Sequence, residues 1–218
     1  MKPRPLAILT AVTLLACGTV LWLTQEGLPP RVPTALHAEI GRTLAREAVA
    51  RLRPGGKVTL LARDTATFPQ PAMAIAVAAF LQELARAGVP APDVQSLQVD
   101  PLRPVQVPSG DFAQFIQRAA KGDVVASLMG PPSLTEEQRV ALGEVRPGIV
   151  AFCGGYPPDT ALLRQLAGQH LLHAAVLSRP PASIPAVSRT RPTVEAFADL
   201  YVVAREPELS RLPAPGQP

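Results

Sequence analysis

Few residues in this chain combine type and spacing in a way that could do chemistry. Cys153-Gly154-Gly155 is the most distinctive group, a thiol followed by a turn that permits close backbone approach. Such a thiol becomes a nucleophile where a helix N-terminus or a cation lowers its pKa. Here Pro157 and Pro158 remove two amide donors from the turn, Asp159 adds negative charge, and no phosphatase-like Cys-x5-Arg is formed, the next arginine being Arg164. A buried, inert thiol is the commoner state of a lone Cys. Arg63-Asp64-Thr65-Ala66-Thr67 supplies a carboxylate and two hydroxyls. These either meet a ligand or organise their own turn through side-chain to backbone hydrogen bonds. His170-Leu171-Leu172-His173 carries two imidazoles three apart, which in a strand face opposite ways; neither HExxH nor a Cys pair accompanies them, and no metal site is expected. GxGxxG, GxxxxGKS/T and Gly-x-Ser-x-Gly are all missing from the strand exits, so neither a nucleotide cofactor nor a serine nucleophile elbow is expected. Pro108-Ser109-Gly110 reads instead as a helix start.

A different chemistry is suggested near the N-terminus, where Leu14-Leu15-Ala16-Cys17-Gly18 resembles a bacterial lipobox with Cys17 as the lipidated residue. The same residues lie inside an uncharged run from Leu6 to Leu23, 18 residues of which 14 are apolar. At helical rise this run spans about 27 Å, the thickness of a bilayer's hydrocarbon. Lys2 and Arg4 before it, against Gln25, Glu26 and Gly27 after it, place the N-terminus in the cytoplasm. The readings are an uncleaved anchor, a lipoprotein signal or a cleaved signal peptide. Each delivers the rest of the chain to the periplasm or the cell exterior, with the membrane engaged through this N-terminal helix.

The elements that must position the candidates follow from hydrophobic periodicity. After residues 1–5 and the apolar segment 6–24, residues 25–34 are a Pro-rich linker, and residues 35–53 a connecting helix. That helix places Leu36, Ile40, Leu44 and Leu52 on its apolar side, with Glu39, Arg42, Arg46, Glu47 and Arg51 in water. From 54 to 178 short apolar runs alternate with helical patterns. Strands are expected at Val58–Ala62, more weakly at Val94–Val99, and at Val124–Leu128, Ile149–Phe152 and Leu171–Ser178. Between them come a helix from Pro71 to Ala87, one capped by Asp111, one opened by a Ser133-x-x-Glu136 capping box, and one capped by Asp159. This order implies right-handed crossovers and an α/β, doubly wound, Rossmann-like domain: a mostly parallel five-stranded sheet with helices on both faces, preceded by one N-terminal transmembrane helix. Residues 179–218 form a Pro-rich extension with one structured segment around Phe197 to Ala204, a sixth strand or a docking helix.

Ligands of doubly wound sheets bind outside the carboxyl ends of the strands. That rule singles out Arg63, Asp64 and Thr65 after the first strand, Met129 and Gly130 after the third, and Cys153, Gly154, Gly155 and Tyr156 after the fourth. Composition excludes one large class of partner. The 218 residues carry 21 Lys and Arg against 17 acids, a formal charge of +4, two units of it from Lys2 and Arg4. A nucleic-acid footprint needs a clustered basic stripe with aromatics, and none is present.

From Lys57 to Ser178 the chain resembles one lobe of the type I periplasmic binding-protein fold. The likeness is carried by Val58 to Ala66 with its following apolar helix, and by Phe115-Ile116-x-x-Ala119-x-x-Gly122-Asp123-Val124-Val125 leading into a strand. It implies that this strand's end, Met129 and Gly130, lines a ligand cleft. With room for one lobe, a closing clamshell is not expected. The functional expectation is a membrane-anchored, extracytoplasmic, non-enzymatic binding or envelope-assembly module for a small solute or protein partner. Its rival is a thiol-dependent or hydrolytic enzyme using Cys153 with Asp64.

Overall fold

The computed structural model describes residues 12–20, 22, 32–66, 69–99, 106–132, 134–143, 146–155, 157–180 and 193–213. The chain divides into two units, Met1–Pro33 and Thr34–Pro218. In the first, residues 12–20 are helical, and among the described residues no helix is long and apolar enough to cross a membrane. Apart from residue 22, the rest of segment 6–24, residues 1–5 and most of the linker lie outside the described residues, as do 181–192 and 214–218 of the Pro-rich extension.

The second unit is built on a sheet in the order β2-β1-β3-β4-β5-β6. Its strands are β1 (Val58–Arg63), β2 (Asp93–Leu97), β3 (Val124–Ser127), β4 (Gly148–Cys153), β5 (Ala174–Ser178) and β6 (Tyr201–Arg205). The first five are parallel, as the alternation of runs and helices requires. Central strands β3, β4 and β5 are buried almost throughout, which is why they read as continuous apolar runs. β2 lies at an edge, and its mixed sequence follows from its largely exposed surface.

The expected five-stranded sheet is corrected to six. β6 returns antiparallel to β5, pairing Ala175 with Ala204 and Leu177 with Val202. It alternates, with Tyr201 and Val203 against one core face and Ala204 buried on the other. The strand is legible only as a partner for β5, because its own five residues suit a helix equally well.

Helices α1 (Thr34–Val49), α2 (Pro71–Arg86) and α6 (Thr193–Leu200) lie on the face formed by Val58, Leu60, Val124, Ala126 and Val150. The opposite face carries α3 (Ser109–Arg118), α4 (Glu136–Ala141), α5 (Thr160–Gly168) and α7 (Glu206–Leu209). α1 and α2 approach so closely that a Cβ at Gly41 would lie 2.1 Å from the Ala76 carbonyl oxygen.

Several local expectations change. Glu39 and Glu47, placed in water by periodicity, are each only 7% exposed. Glu39 accepts hydrogen bonds from Arg42 and Arg46, and Glu47 from Arg51 and Arg205. α1 is covered on more than its apolar stripe, and arginines make that burial tolerable. Asp111 is in the first turn of α3 rather than capping it, since the helix starts at Ser109. The capping box of α4 is Thr135 with Gln138; Ser133 lies outside the described residues. Asp159 does cap α5, accepting from the Leu162 amide at 3.0 Å. The two histidines are not in a strand: β5 begins at Ala174, and His170 occupies a turn with φ 55°.

Candidate functional site

Strand order decides which of the candidate residues can act together. The chain leaves β1 through α2 to β2 on one side, then crosses to β3 on the other, so the order reverses between β1 and β3. The crevice outside their carboxyl ends is the switch point at which doubly wound folds bind ligands. It is bounded by Asp64 and Thr65 after β1 and by Met129 and Gly130 after β3. Register ties in the next strand: Leu61, Ser127 and Ala151 lie side by side, so Arg63, Met129 and Cys153, each two residues on, fall toward one row on one face.

The structure separates these residues by depth. Met129 (1% exposed) and Cys153 (8%) are part of the core and form a floor. Asp64, Thr65 and Gly130 are half-buried at the rim, while Gly154 and Gly155 are exposed beside β4. Asp64 organises its own turn, since Oδ1 accepts from the Ala66 amide at 2.9 Å while its backbone N–H donates to the Leu97 carbonyl at 2.8 Å. Gly130 sits at φ 96°, where a side chain is strained, so the backbone turns sharply over the crevice. Ser127, fully buried, accepts from the Met129 amide through its hydroxyl at 3.2 Å and shapes that exit. Ser178 donates to the Gly154 carbonyl at 3.0 Å, tying the Cys153 turn to β5. Thr67, the second hydroxyl of the β1 exit, and Tyr156 after β4 lie outside the described residues.

Electrostatics bear directly on Cys153. Burial pushes its thiol up to about 12, so it stays protonated at neutral pH. Cys17 is exposed among the helical residues 12–20.

Two features escaped sequence reasoning. A groove of about 1080 Å³ lies at the amino ends of β1 and β2, lined by Val49, Leu52, Arg53, Lys57, Phe115 and Arg118 among others. Nothing local marks it, because its walls come from three separated segments. The second is a polar cluster joining α1 to the sheet. Glu47 accepts from Arg51 at 2.8 Å and Arg205 at 2.7 Å, and Arg51 also donates to the His173 carbonyl at 2.9 Å. Burial pushes the Glu47 carboxyl up, but the hydrogen bonds from Arg205 and Arg51 outweigh it and hold it below its ordinary value. His173 Nδ1 accepts from the Ile149 amide at 3.0 Å, and burial is the main force lowering that imidazole's pKa. The sequence signal was available in part, as charged residues on α1 too numerous for one solvated stripe.

No protein-family model matches the chain, and no curated protein does. Among solved structures the chain is similar to an ABC sugar transporter subunit from Rhodobacter sphaeroides 2.4.1, at 15% identity over 66% of this chain and 50% of that one, with a TM-score of 0.46. A periplasmic ribose ABC transporter from Conexibacter woesei DSM 14684 is similar at 14% identity over 65% and 45%, with a TM-score of 0.42. A sugar ABC transporter (sugar-binding protein) from Bacillus halodurans is similar at 12% identity over 80% and 64%, with a TM-score of 0.48. The chain spans about half the length of the first two.

Proposed function

We propose that this chain is a membrane-tethered, extracytoplasmic α/β domain that binds a small solute at the crevice between β1 and β3 and catalyses no reaction there. The observation that carries the reading is the strand reversal, which brings Asp64, Thr65 and Gly130 to one rim above Met129 and Cys153. The protonated, core-packed thiol argues against the rival enzyme built on Cys153 and Asp64. A protein partner is the second reading, favoured by the filled floor, since a shallow crevice suits a partner's side chain better than an enclosed solute. The tether is supported by the uncharged run from Leu6 to Leu23 behind Lys2 and Arg4, with lipidation of Cys17 as its alternative form. Gly154 and Gly155 give the crevice its third wall.

The test is a thermal-shift screen of the full-length chain in detergent against neutral sugars, amino acids and carboxylates, repeated on Gly130→Val. That substitution places a branched side chain at a left-handed position over the crevice. A solute that raises the Tm of the native chain and not of the variant supports the reading; solutes that shift both equally refute it. Alkaline carbonate extraction of membranes tests the tether, and release of the chain into the wash would count against it.

A further inference from the structure

The crevice contains a cation for which the described residues supply no counter-charge. Arg63 ends β1 at the switch point, is 9% exposed, and its side chain makes no hydrogen bond or ion pair among the described residues. Other buried charges here are compensated: Glu39 by Arg42 and Arg46, Glu47 by Arg51 and Arg205. Even Asp64, its chain neighbour, turns a carboxylate oxygen to the Ala66 amide and forms no ion pair with it. The guanidinium is nonetheless not sealed. The only sealed side-chain polar atom without a partner among the described residues is Gln169 Oε1. Arg63 therefore has a buried stem and a tip that keeps a path to solvent. Its strand parity is that of Leu61, which packs in the same cluster as the floor residues Met129 and Cys153.

Two further donors flank it. The amide N–H groups of Thr65 and Gly130 make no hydrogen bond among the described residues, and both residues are half-buried at the crevice rim. A guanidinium fork on a packed stem, with unspent amides on the neighbouring strand exits, suits the two-pronged geometry of an oxyanion. Because packing already holds the stem, little rotamer freedom is lost when the fork engages. We infer that Arg63 is an oxyanion-binding residue, and that the solute taken at this crevice carries a carboxylate or phosphate group. The inference rests on reading the β1–β3 crevice as the binding site, and it adds the chemical class of the ligand.

The experiment is calorimetric titration of the full-length chain in detergent with glucuronate, glucose and inorganic phosphate, on the native chain, Arg63→Gln, Arg63→Lys and Gly130→Val. Circular dichroism checks that each variant is folded. Glucuronate or phosphate is expected to bind, with affinity reduced about 10- to 100-fold in Arg63→Gln. Arg63→Lys, which keeps the charge and loses the fork, falls between. Glucose binding as tightly as glucuronate, with Arg63→Gln unchanged and Gly130→Val dead, overturns the anion assignment while leaving the crevice reading intact. Equal binding by Gly130→Val and native chain overturns both. Failure of glucuronate and phosphate to bind at about 10 mM overturns the anion assignment, and the wider solute screen then decides the crevice separately. A check that needs no variant uses phenylglyoxal, read by peptide mass spectrometry. Phosphate should slow modification of Arg63 at least severalfold relative to chloride at equal ionic strength; equal rates count against the assignment.

Discussion

The state of Cys153 separates a binding module from a thiol enzyme, and the structure puts a magnitude on it. Burial raises the thiol from an ordinary 9.0 to about 12. At pH 8 an ordinary thiol is about one-tenth thiolate, whereas one at about 12 is roughly one part in ten thousand. Alkylation in the native state is therefore expected to be about a thousandfold slower than in the denatured chain, before any further loss from restricted access. The assay is iodoacetamide labelling of a Cys17→Ser chain, which leaves a single thiol, followed by mass spectrometry between pH 6 and 8 with and without denaturant. Native labelling within tenfold of the denatured rate would refute the argument and revive the enzyme. Linkage offers a second readout. A folded thiol at about 12 against an unfolded one near 9.0 contributes stability that is fully present below pH 9 and lost as pH rises through 12. By pH 10 the loss is about 1.4 kcal/mol, and Cys153→Ala should abolish that slope whatever it does to the neutral-pH stability.

Other outcomes follow from the packing. Gly41→Ala raises helix propensity by about 1 kcal/mol but puts a methyl 0.9 Å inside the 3.0 Å floor for such contacts, against α2 backbone. Separating the helices should cost more than is gained, giving a net loss of about 1–2 kcal/mol in urea denaturation; a net gain would refute the close approach. Glu47→Gln leaves Arg51 and Arg205 without their shared carboxylate and should destabilise by about 2 kcal/mol, an effect absent in Arg164→Gln on an exposed helix face. His173 has a lowered pKa when folded, so its contribution is present above about pH 6.5 and lost as pH falls below that value. The acid-side fall in Tm should therefore shrink in His173→Gln, and an unchanged profile would count against burial of this imidazole as its origin.

The candidate site was legible to the extent that strand ends were. Asp64, Thr65, Met129, Gly130 and Cys153 all occupy the strand exits expected of them, because each central strand announces itself as an apolar run closed by a polar or Gly turn. Depth was not legible. Met129 and Cys153 are floor and Asp64 is rim because of which face each meets, and a one-residue shift reverses that. Arg63 stood in the same run as Asp64, but its side chain's lack of a partner among the described residues is a property of everything around it rather than of its own neighbours in sequence.

Local sequence therefore determined the alternation of strands and helices, the cap at Asp159 and the residues at each strand's exit, since all of these follow from propensity, period and chain punctuation over a few residues. Tertiary structure decided the strand order that makes β1 and β3 neighbours, the antiparallel sixth strand, the burial of Glu39 and Glu47, and the position of the groove. Those depend on pairings between residues far apart in the chain, whose free energy comes from apolar surface removed from water on both partners at once, and neither segment records its partner alone.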